Sequence, residues 1–570
     1  MELCRNDRVV NRIYGALSEL RSSDNGRDFT LADLYQYLLM LEVFLDNDGF
    51  SVGNTKTQRD ASGSYYTPPD IARNVVQRTF TLAGHFECKH DSCVDLSCGA
   101  GDFLVEAFRW LVKQKNCASD AFLALHGYDI DPIALSITVM RLTHLAGMPL
   151  SDSTAIIVAA HFHLGNPLLA ATECSTTSED KIRLFAVGLY YDPGMAFDVE
   201  VCAGNSFKVI LGNPPWEKIR MEERKFFRLV SPTIGSINNK RDRHKAVDKL
   251  RSTDSSGIVD LFDRLSSCYS EVRKRVIHKV SSAVDGELNT YALFTALSVL
   301  CLKDSGAAGL VLKSALFTSP VNSRLFASLS AKGAINSVYL FNNSSRIFPI
   351  DRRERFCVAF FSKMGKRDQF AASFGNTNAE FLTNSVRMVT SNDLASLNPD
   401  TKTLPDLDNG DLFNFLLVMH NKFNTFSHVY PNCHFGRLVH LTTHASWITK
   451  EKTSNNLPIF EGKFIGPHDI RYATFAGLDD ASKYASKATA RKMEAEEKLV
   501  NSAEARYFID SELWHRISRK YSGALMLCWR SLTSSTNTRT SIAALSPFVP
   551  ACQSVQFLQL ENTRDLVILA

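Results

Sequence analysis

The fold is decided by the stretch Asp95-Leu96-Ser97-Cys98-Gly99-Ala100-Gly101-Asp102-Phe103-Leu104. A short apolar strand candidate ends at Asp95, and a helical pattern begins directly after the second glycine. The two glycines permit a tight turn and a close approach of the backbone to a ligand. The spacing is not the Gly-x-Gly-x-x-Gly of dinucleotide-binding folds, and no Lys-Ser or Lys-Thr follows as in a P-loop. The stretch therefore predicts a cradle for a nucleotide-like cofactor, with a purely structural turn as the alternative.

Strand and helix patterns alternate on both sides of this turn, with helices predicted from Phe103 and from Pro132. Such alternation is typical of βαβ units. It predicts an α/β protein with a Rossmann-like, doubly wound and mostly parallel sheet. The strand candidates are Cys93–Leu96, Ala124–Asp129, Ala155–Val158, Lys208–Leu211, Gly309–Leu312, Val338–Phe341 and Phe356–Phe361, the last of which is placed to close the sheet.

A second motif, Gly127-Tyr128-Asp129-Ile130-Asp131-Pro132, lies one helix further on. An acidic side chain at the end of the second strand of a βαβ unit is placed to accept hydrogen bonds from two ribose hydroxyls, which makes Asp129 the candidate. For Asp131 we prefer a helix N-cap, because Pro132 suits the first helical position.

The third motif is Phe207-Lys208-Val209-Ile210-Leu211-Gly212-Asn213-Pro214-Pro215-Trp216. Its apolar strand brings Asn213 to the carboxyl end of the sheet, where ligands bind in open α/β folds. The prolines stiffen the loop and lack an N–H, so an amide oxygen and a rigid carbonyl form two fixed acceptors for one amino group. Trp216 offers a flat face for a base, a contact of about 1–3 kcal/mol. The alternative is a Pro-Pro turn with a core tryptophan.

These three segments follow an upstream segment, Gly63-Ser64-Tyr65-Tyr66-Thr67-Pro68-Pro69. In this order the four resemble the motifs of N6-adenine DNA methyltransferases that have an N-terminal catalytic domain and a C-terminal target-recognition domain. The similarity is greatest to the large methylases of type IIG restriction-modification and BREX-type phage-exclusion systems. It implies a class I methyltransferase sheet that binds S-adenosylmethionine. Leu96, where the family usually has Pro, and Lys208, where an acidic residue is common, depart from the pattern.

The resemblance also implies roles for individual residues. The catalytic residues would be Asn213, Pro214, Pro215 and Trp216. The cofactor residues would be Tyr66, Thr67 and Pro68 at the methionine end, Asp95, Ser97, Cys98, Gly99 and Gly101 in the glycine turn, Asp129 and Ile130 near the ribose, and Asn166 of Gly165–Leu169 at the adenine. Trp216 and Phe348, the latter in Ser345–Pro349, would hold the substrate base. A core position for Phe348 is the alternative.

The implied reaction transfers a methyl group to N6 of an adenine flipped out of double-stranded DNA, within a restriction-modification or phage-defence system. Other subunits of such a system are expected partners. Two alternatives stay open: a catalytically weak methylase fold that recognises DNA for a defence complex, and an amino-methyltransferase acting on RNA or on a protein glutamine. No Asp/Glu-x-Lys nuclease pattern precedes residue 63, so we do not expect restriction by this chain alone.

The composition is that of an ordinary globular protein, with 570 residues, 45% hydrophobic and 22% charged residues, and a net charge of +4. Its 13 cysteines show no Cys-x-x-Cys pairs, so we predict reduced thiols and no metal site. No apolar run is long enough to span a bilayer, which favours the cytoplasm. Lys240–Lys245 and Arg352–Arg353 are candidate phosphate contacts, with a solvated surface as the alternative.

The predicted domains are a helical segment at 1–62, the methyltransferase domain at 63–365 with a helical insertion at about 217–285, a linker at 366–410, and a domain resembling a target-recognition domain at 411–570. In the last domain, Ala481–Ala503 favours one charged helix. Phe460–Ile465 and Trp529–Thr540 resemble segments of the same large methylases. The apolar ending Leu566–Ala570 suggests an unfinished strand, as in a fragment or a chain that pairs with another subunit.

Overall fold

The structure is a computed structural model. It describes residues 33, 35, 41–46, 49–54, 67–149, 151–168, 206–217, 223–237, 240–253, 257–264, 266–267, 270, 274, 289–363, 367–485, 488–521, 523–534 and 538–570. The described chain forms two compact units, 1–421 and 422–570.

A β-hairpin occupies part of the segment that we predicted to be helical. Its strands are β1 (Leu41–Asp46) and β2 (Gly49–Asn54), which pair antiparallel. The helical prediction for 1–62 is therefore wrong at these residues. The apolar residues at Leu41 and Phe44 fit a helical step, and pairing between the strands overrides that local pattern.

The first unit is built on a nine-stranded sheet with the order β11-β10-β8-β9-β7-β6-β3-β4-β5. All neighbours between β5 and β7 are parallel, and β9 is inserted antiparallel between β7 and β8. This confirms the predicted α/β fold with a Rossmann-like, mostly parallel sheet. The strands are β3 (Cys93–Asp95), β4 (Leu125–Asp129), β5 (Phe162–Leu164), β6 (Phe207–Gly212), β7 (Leu302–Lys313), β8 (Ile335–Asn342), β9 (Arg355–Ser362), β10 (Gln369–Asn376) and β11 (Arg387–Thr390).

The central strands are buried along their length because helices cover the sheet. One close approach shows how tightly they pack: a Cβ on Gly309 of β7 would lie 2.1 Å from Oγ1 of Thr79 on the helix Pro69–Ala83. The helices of this unit outside the insertion are Pro69–Ala83, Asp102–Lys113, Ala118–Leu123, Pro132–Leu145, Asp152–His161, Thr290–Cys301, Ala315–Thr318, Ser323–Ala331, Ser391–Leu397 and Gly410–Lys422.

The strand predicted at Ala155–Val158 is wrong, because these residues lie within the helix Asp152–His161. The hydroxyl of Ser151 caps this helix by accepting a hydrogen bond from the Thr154 amide at 3.3 Å. The strand β5 begins only where the helix ends. A short run of Ala, Ile and Val does not distinguish a strand from an apolar helix by itself.

Among the described residues of the predicted insertion, three helices have defined bounds, namely Glu223–Val230, Pro232–Gly235 and Lys240–Thr253. They pack around a small core of their own that includes Phe226, Phe227 and Val247.

The predicted linker at 366–410 is wrong, because it contains β10 and β11, which extend the main sheet beyond β8. The predicted closing strand β9 pairs with β8 as well as β7, so it lies inside the sheet and does not close it. The helix Ser391–Leu397 follows, with Thr390 and Asp393 forming a capping box. The Ser, Thr, Asn and Asp residues around these two strands make the segment resemble a loop in sequence, and only the pairing of the strands shows that they belong to the sheet.

The second unit contains three small sheets. The charged run Ala481–Ala503 is not one helix, and the chain ends in a helix where we predicted a strand. Its helices are Phe426–Val429, Asp480–Tyr484, Ala495–Val500, Ser511–Ser518 and Thr563–Leu569. Its strands are β12 (His434–Gly436), β13 (Ile448–Thr449), β14 (Asn456–Pro458), β15 (Ala473–Thr474), β16 (Arg491–Lys492), β17 (Phe508–Asp510), β18 (Leu525–Arg530), β19 (Ala543–Pro547) and β20 (Val555–Gln559).

The two segments of this unit that resemble large methylases are bonded to each other. Nε of Arg530 donates to the carbonyl of Ile465 at 2.7 Å. The buried Glu461, in the same segment as Ile465, forms an ion pair with Arg506 at 2.9 Å. In the described part of the chain, no helix is long and apolar enough to cross a membrane, and no cluster of metal-ligating side chains occurs.

Candidate cofactor and catalytic site

Four predicted site residues follow the ends of four parallel strands. Asp95 and Asp129 end β3 and β4, Asn166 lies two residues after β5, and Asn213 directly follows β6. The carboxyl ends of these strands lie along one edge of the sheet. The chain adds β4 and β5 on one side of β3 and β6 on the other, so this edge contains a switch point, where α/β sheets bind ligands.

The glycine turn has the conformation that its sequence predicts. Gly99 and Gly101 have φ values of 52° and 87°, in the left-handed region that glycine tolerates best. A Cβ on Gly101 would also lie 2.7 Å from Oγ1 of Thr138. That hydroxyl donates to the Gly99 carbonyl at 2.7 Å. A side chain at Gly101 is therefore excluded both by the backbone conformation and by the lack of space.

Asp129 ties the glycine turn to the end of β4. One of its carboxylate oxygens accepts from the Gly99 amide at 2.7 Å and the other from the Asp131 amide at 2.8 Å. Burial raises its pKa to about 6, against the opposing effect of these hydrogen bonds. Ile130 is half-buried beside it. A role at the ribose stays a proposal for this carboxylate, which already organises the turn.

Asp131 is the N-cap of the helix Pro132–Leu145, as we preferred from the sequence. Its Oδ1 accepts from the amides of Ile133 and Ala134 at 2.9 and 3.2 Å.

Asp95 joins the glycine turn to the catalytic loop. Its side chain is 1% exposed and accepts a hydrogen bond from the Ser97 amide at 2.9 Å. A Cβ on Gly212 would lie 2.8 Å from its Oδ1, so only glycine fits at the end of β6. Burial raises the pKa of Asp95 to about 8, and the nearby Asp129 adds to the rise. Such a carboxyl group is poised to ionise beside a cation.

Cys98 and Asn166 are both buried and form hydrogen bonds with backbone groups near the site. Cys98 is buried, its amide donates to the Tyr128 carbonyl at 2.8 Å, and burial raises the pKa of its thiol. Asn166 is also buried, and its Oδ1 accepts from the Leu168 amide at 3.0 Å. The Gly165 amide donates to the Asp129 carbonyl at 2.8 Å, which places this loop next to β4.

The upstream segment meets the catalytic loop through one hydrogen bond. Nδ2 of Asn213 donates to Oγ1 of the buried Thr67 at 3.2 Å. Pro68 follows at the N-cap position of the helix Pro69–Ala83. Tyr66 lies outside the described residues. The structure thus brings Thr67 and Asn213 together although 146 positions separate them.

Thr290 supports the catalytic loop from behind and was missed by the sequence analysis. Its hydroxyl donates to the carbonyls of Pro215 and Glu217, and its amide donates to the Glu217 carbonyl at 2.8 Å. The only sequence signal is its place at the start of the apolar helix Thr290–Cys301. That pattern predicts where a helix begins, but it does not predict that the first residue of the helix contacts the catalytic loop.

Trp216 and Phe348 pack into an aromatic cluster with Phe356. Their ring centroids lie 5.7 Å apart, and Phe348 contacts Phe356 at 4.8 Å. Phe348 is 0% exposed and Trp216 is 7% exposed. Phe348 has no exposed surface, which favours the alternative core position, and its contact with the base stays a prediction. Trp216 packs against this cluster and has little exposed surface on which a base could stack.

The predicted phosphate contacts divide into structural and exposed residues. Arg243 is buried and pairs with Glu223 at 2.7 Å, so it cannot reach a phosphate. Lys240 and Lys245 are exposed. The side chain of Arg353 is 90% exposed and pairs with Asp351 at 2.6 Å.

Residues 31–168 match the N-6 DNA Methylase family. The match confirms the resemblance predicted from the motifs, and it contains Thr67, Asp95, Asp129 and Asn166. A type II methyltransferase, M.VspI of Vibrio sp. (strain 343), is 29% identical over 106 residues, which are 19% of this chain and 23% of that relative. The alignment therefore spans less than a quarter of the relative's length.

Two solved structures are similar to this chain in fold. The modification subunit of a putative type I restriction enzyme from Vibrio vulnificus YJ016 is 15% identical, with 69% of this chain and 68% of that chain covered and a TM-score of 0.36. The type IIG restriction endonuclease BpuSI is 12% identical, with 95% and 56% covered and a TM-score of 0.37. Likenesses of this size are weak, and the strand order establishes the fold.

Proposed function

We propose that this chain transfers a methyl group from S-adenosylmethionine to N6 of an adenine flipped out of double-stranded DNA. We further propose that it is the modification component of a restriction-modification or phage-defence system. One observation carries the first proposal: the segment Gly212–Trp216 meets the residues proposed to bind the cofactor at two points. Asn213 bonds to Thr67, and Gly212 packs against Asp95.

The cradle suits a cationic cofactor. Asp95 and Asp129 are carboxyl groups whose pKa values are raised to about 8 and about 6 by burial. A neighbouring positive charge favours their ionised form. The sulfonium and ammonium groups of S-adenosylmethionine supply such charge. When bound, the cofactor supplies an electrophilic methyl group.

The protein's part in the reaction is to position the amine. Asn213 Oδ1 and the Pro214 carbonyl accept its two hydrogens and draw the nitrogen toward tetrahedral geometry, which frees its lone pair. Because Nδ2 of Asn213 donates to Thr67, the amide oxygen faces away from Thr67 and is the atom offered to the substrate amine. Flipping the adenine costs a few kcal/mol. Fixed positions for both reactants account for much of the acceleration.

The test is Asn213→Ala in the full-length chain. We expect methyl transfer to fall below detection while S-adenosylmethionine binding, measured by calorimetry, persists. Asn432→Ala, at an exposed asparagine of the second unit, is the matched control and keeps activity. Sequencing of methylated adenine in cells that express each variant reads out the product. Transfer that survives Asn213→Ala contradicts the catalytic assignment, and methylation of RNA or protein in place of DNA adenine supports the alternatives.

A further inference from the structure

The helical insertion begins and ends at the catalytic loop. The carbonyl of Glu217, one residue after Trp216, accepts hydrogen bonds from the Thr290 amide and hydroxyl, each at 2.8 Å. Residues 217 and 290 are the entry and exit of the insertion. Both ends of the insertion therefore lie next to the loop that carries Asn213, at the carboxyl edge of the sheet.

The helix Lys240–Thr253 is held firmly within the insertion. Val247 packs with Phe226 and Phe227 in the insertion's core. On the same helix, Arg243 forms an ion pair with Glu223 at 2.7 Å and donates a hydrogen bond to the Ile237 carbonyl at 2.8 Å. The outer face of the helix is consequently presented in a fixed orientation.

Positive charge is concentrated in this insertion. Residues 217–285 contain 16 Lys and Arg against 10 Asp and Glu, a net charge of +6, whereas the whole chain has only +4. The remainder of the chain is therefore slightly acidic. A positive segment beside the entry to a binding site attracts a polyanion and is the main source of affinity for nucleic-acid backbones.

Two cations stand out on the exposed face of the helix. Lys245 and Lys249 are exposed and lie one turn apart, about 6 Å along the axis, which is comparable with two phosphate steps of about 3.4 Å along one DNA strand. Arg243 and Arg251 of the same helix are instead paired within the protein. Arg251 pairs with Asp263 at 2.9 Å and lies 3.8 Å from Asp248.

We propose that the helix Lys240–Thr253 binds the phosphate backbone of the duplex DNA whose adenine enters the Asn213 site, with Lys245 and Lys249 as the contacts. The proposal rests on the proposed function, since it names the surface that holds the same substrate. It adds a DNA contact within the first unit to any made by the second.

The test compares DNA binding by the full-length protein and by the double variant Lys245→Gln/Lys249→Gln across a range of salt concentrations. Each lost phosphate contact lowers the slope of log K against log salt by about 0.9, so the double variant should lose about 1.8 in slope. We expect a raised KM for DNA, with kcat at saturating DNA and cofactor affinity unchanged. Arg251→Gln, on the same helix, should leave the slope unchanged because its guanidinium is paired.

An unchanged slope in the double variant, with DNA methylation by the wild type, overturns the proposed surface alone. A loss of slope in a protein that binds DNA without methylating adenine supports the surface and overturns the proposed function. A loss of slope seen with duplex RNA and not with duplex DNA overturns the choice of partner. Thermal melting of each variant shows whether the fold is retained.

Discussion

Asn213 donates a hydrogen bond of 3.2 Å from Nδ2 to Oγ1 of Thr67, and this bond links the upstream segment to the catalytic loop. Because the amide nitrogen is held by Thr67, the orientation of the amide oxygen is determined by the same contact. The resemblance assigns Thr67 only to the cofactor. The structure gives it a second contact, with the side chain proposed to hold the substrate amine.

Replacing Thr67 by Val should therefore lower kcat more than it weakens cofactor binding. The change removes the acceptor of the partly buried Asn213 N–H, which costs about 1–3 kcal/mol, or about 5- to 150-fold in rate if the cost falls on the transition state. Thr67→Ser should restore most of the rate because it keeps the hydroxyl. Thr79→Val, which removes a buried hydroxyl bonded within its own helix, is the control. A normal kcat in Thr67→Val would contradict the proposal that Thr67 positions Asn213.

Thr290→Val should loosen the catalytic loop. The variant loses the hydroxyl bonds to the carbonyls of Pro215 and Glu217 but keeps the amide bond to Glu217. We expect kcat to fall about tenfold, for a loss of about 1.4 kcal/mol in positioning. Thr295→Val on the same helix removes a buried hydroxyl that bonds only to the Tyr291 carbonyl, and it should reduce stability without this loss of rate. Equal losses of kcat in both variants would refute a specific role.

Asp95 should make the stability of the cofactor-free protein depend on pH. Its pKa is about 8 in the folded protein, against an ordinary value of 3.8. The unfolded chain ionises first as pH rises, so the contribution of Asp95 to stability is full below about pH 4 and is lost between about pH 4 and pH 8. Asp95→Asn should remove this part of the dependence in denaturant titrations.

The same carboxyl group should also make cofactor affinity rise with pH up to about 8, since a bound cation favours the ionised form. Calorimetry in buffers of different ionisation enthalpy should detect proton release on binding by the wild type and less release by Asp95→Asn. Identical proton release in the two proteins would show that another group is responsible.

Local patterns determined the core of the first unit from the sequence alone. The glycine turn after Asp95, the N-cap at Asp131 and the strand before Asn213 are each specified by residues within about ten positions. Backbone sterics, helix capping and strand periodicity act over that range. The α/β class follows from their order, and the family match over residues 31–168 confirms the resemblance that the order implied.

Tertiary structure decided which distant segments meet. The contacts of Asn213 with Thr67 and of Glu217 with Thr290 join residues more than 70 positions apart, and no local pattern encodes them. Burial of Phe348 and recruitment of β10 and β11 into the sheet depend on what lies beside them once the chain has folded. Apolar burial and strand pairing depend on contacts between segments that are far apart in the sequence. The sequence by itself determined the turns and strands of the site, and packing determined which side chains complete it.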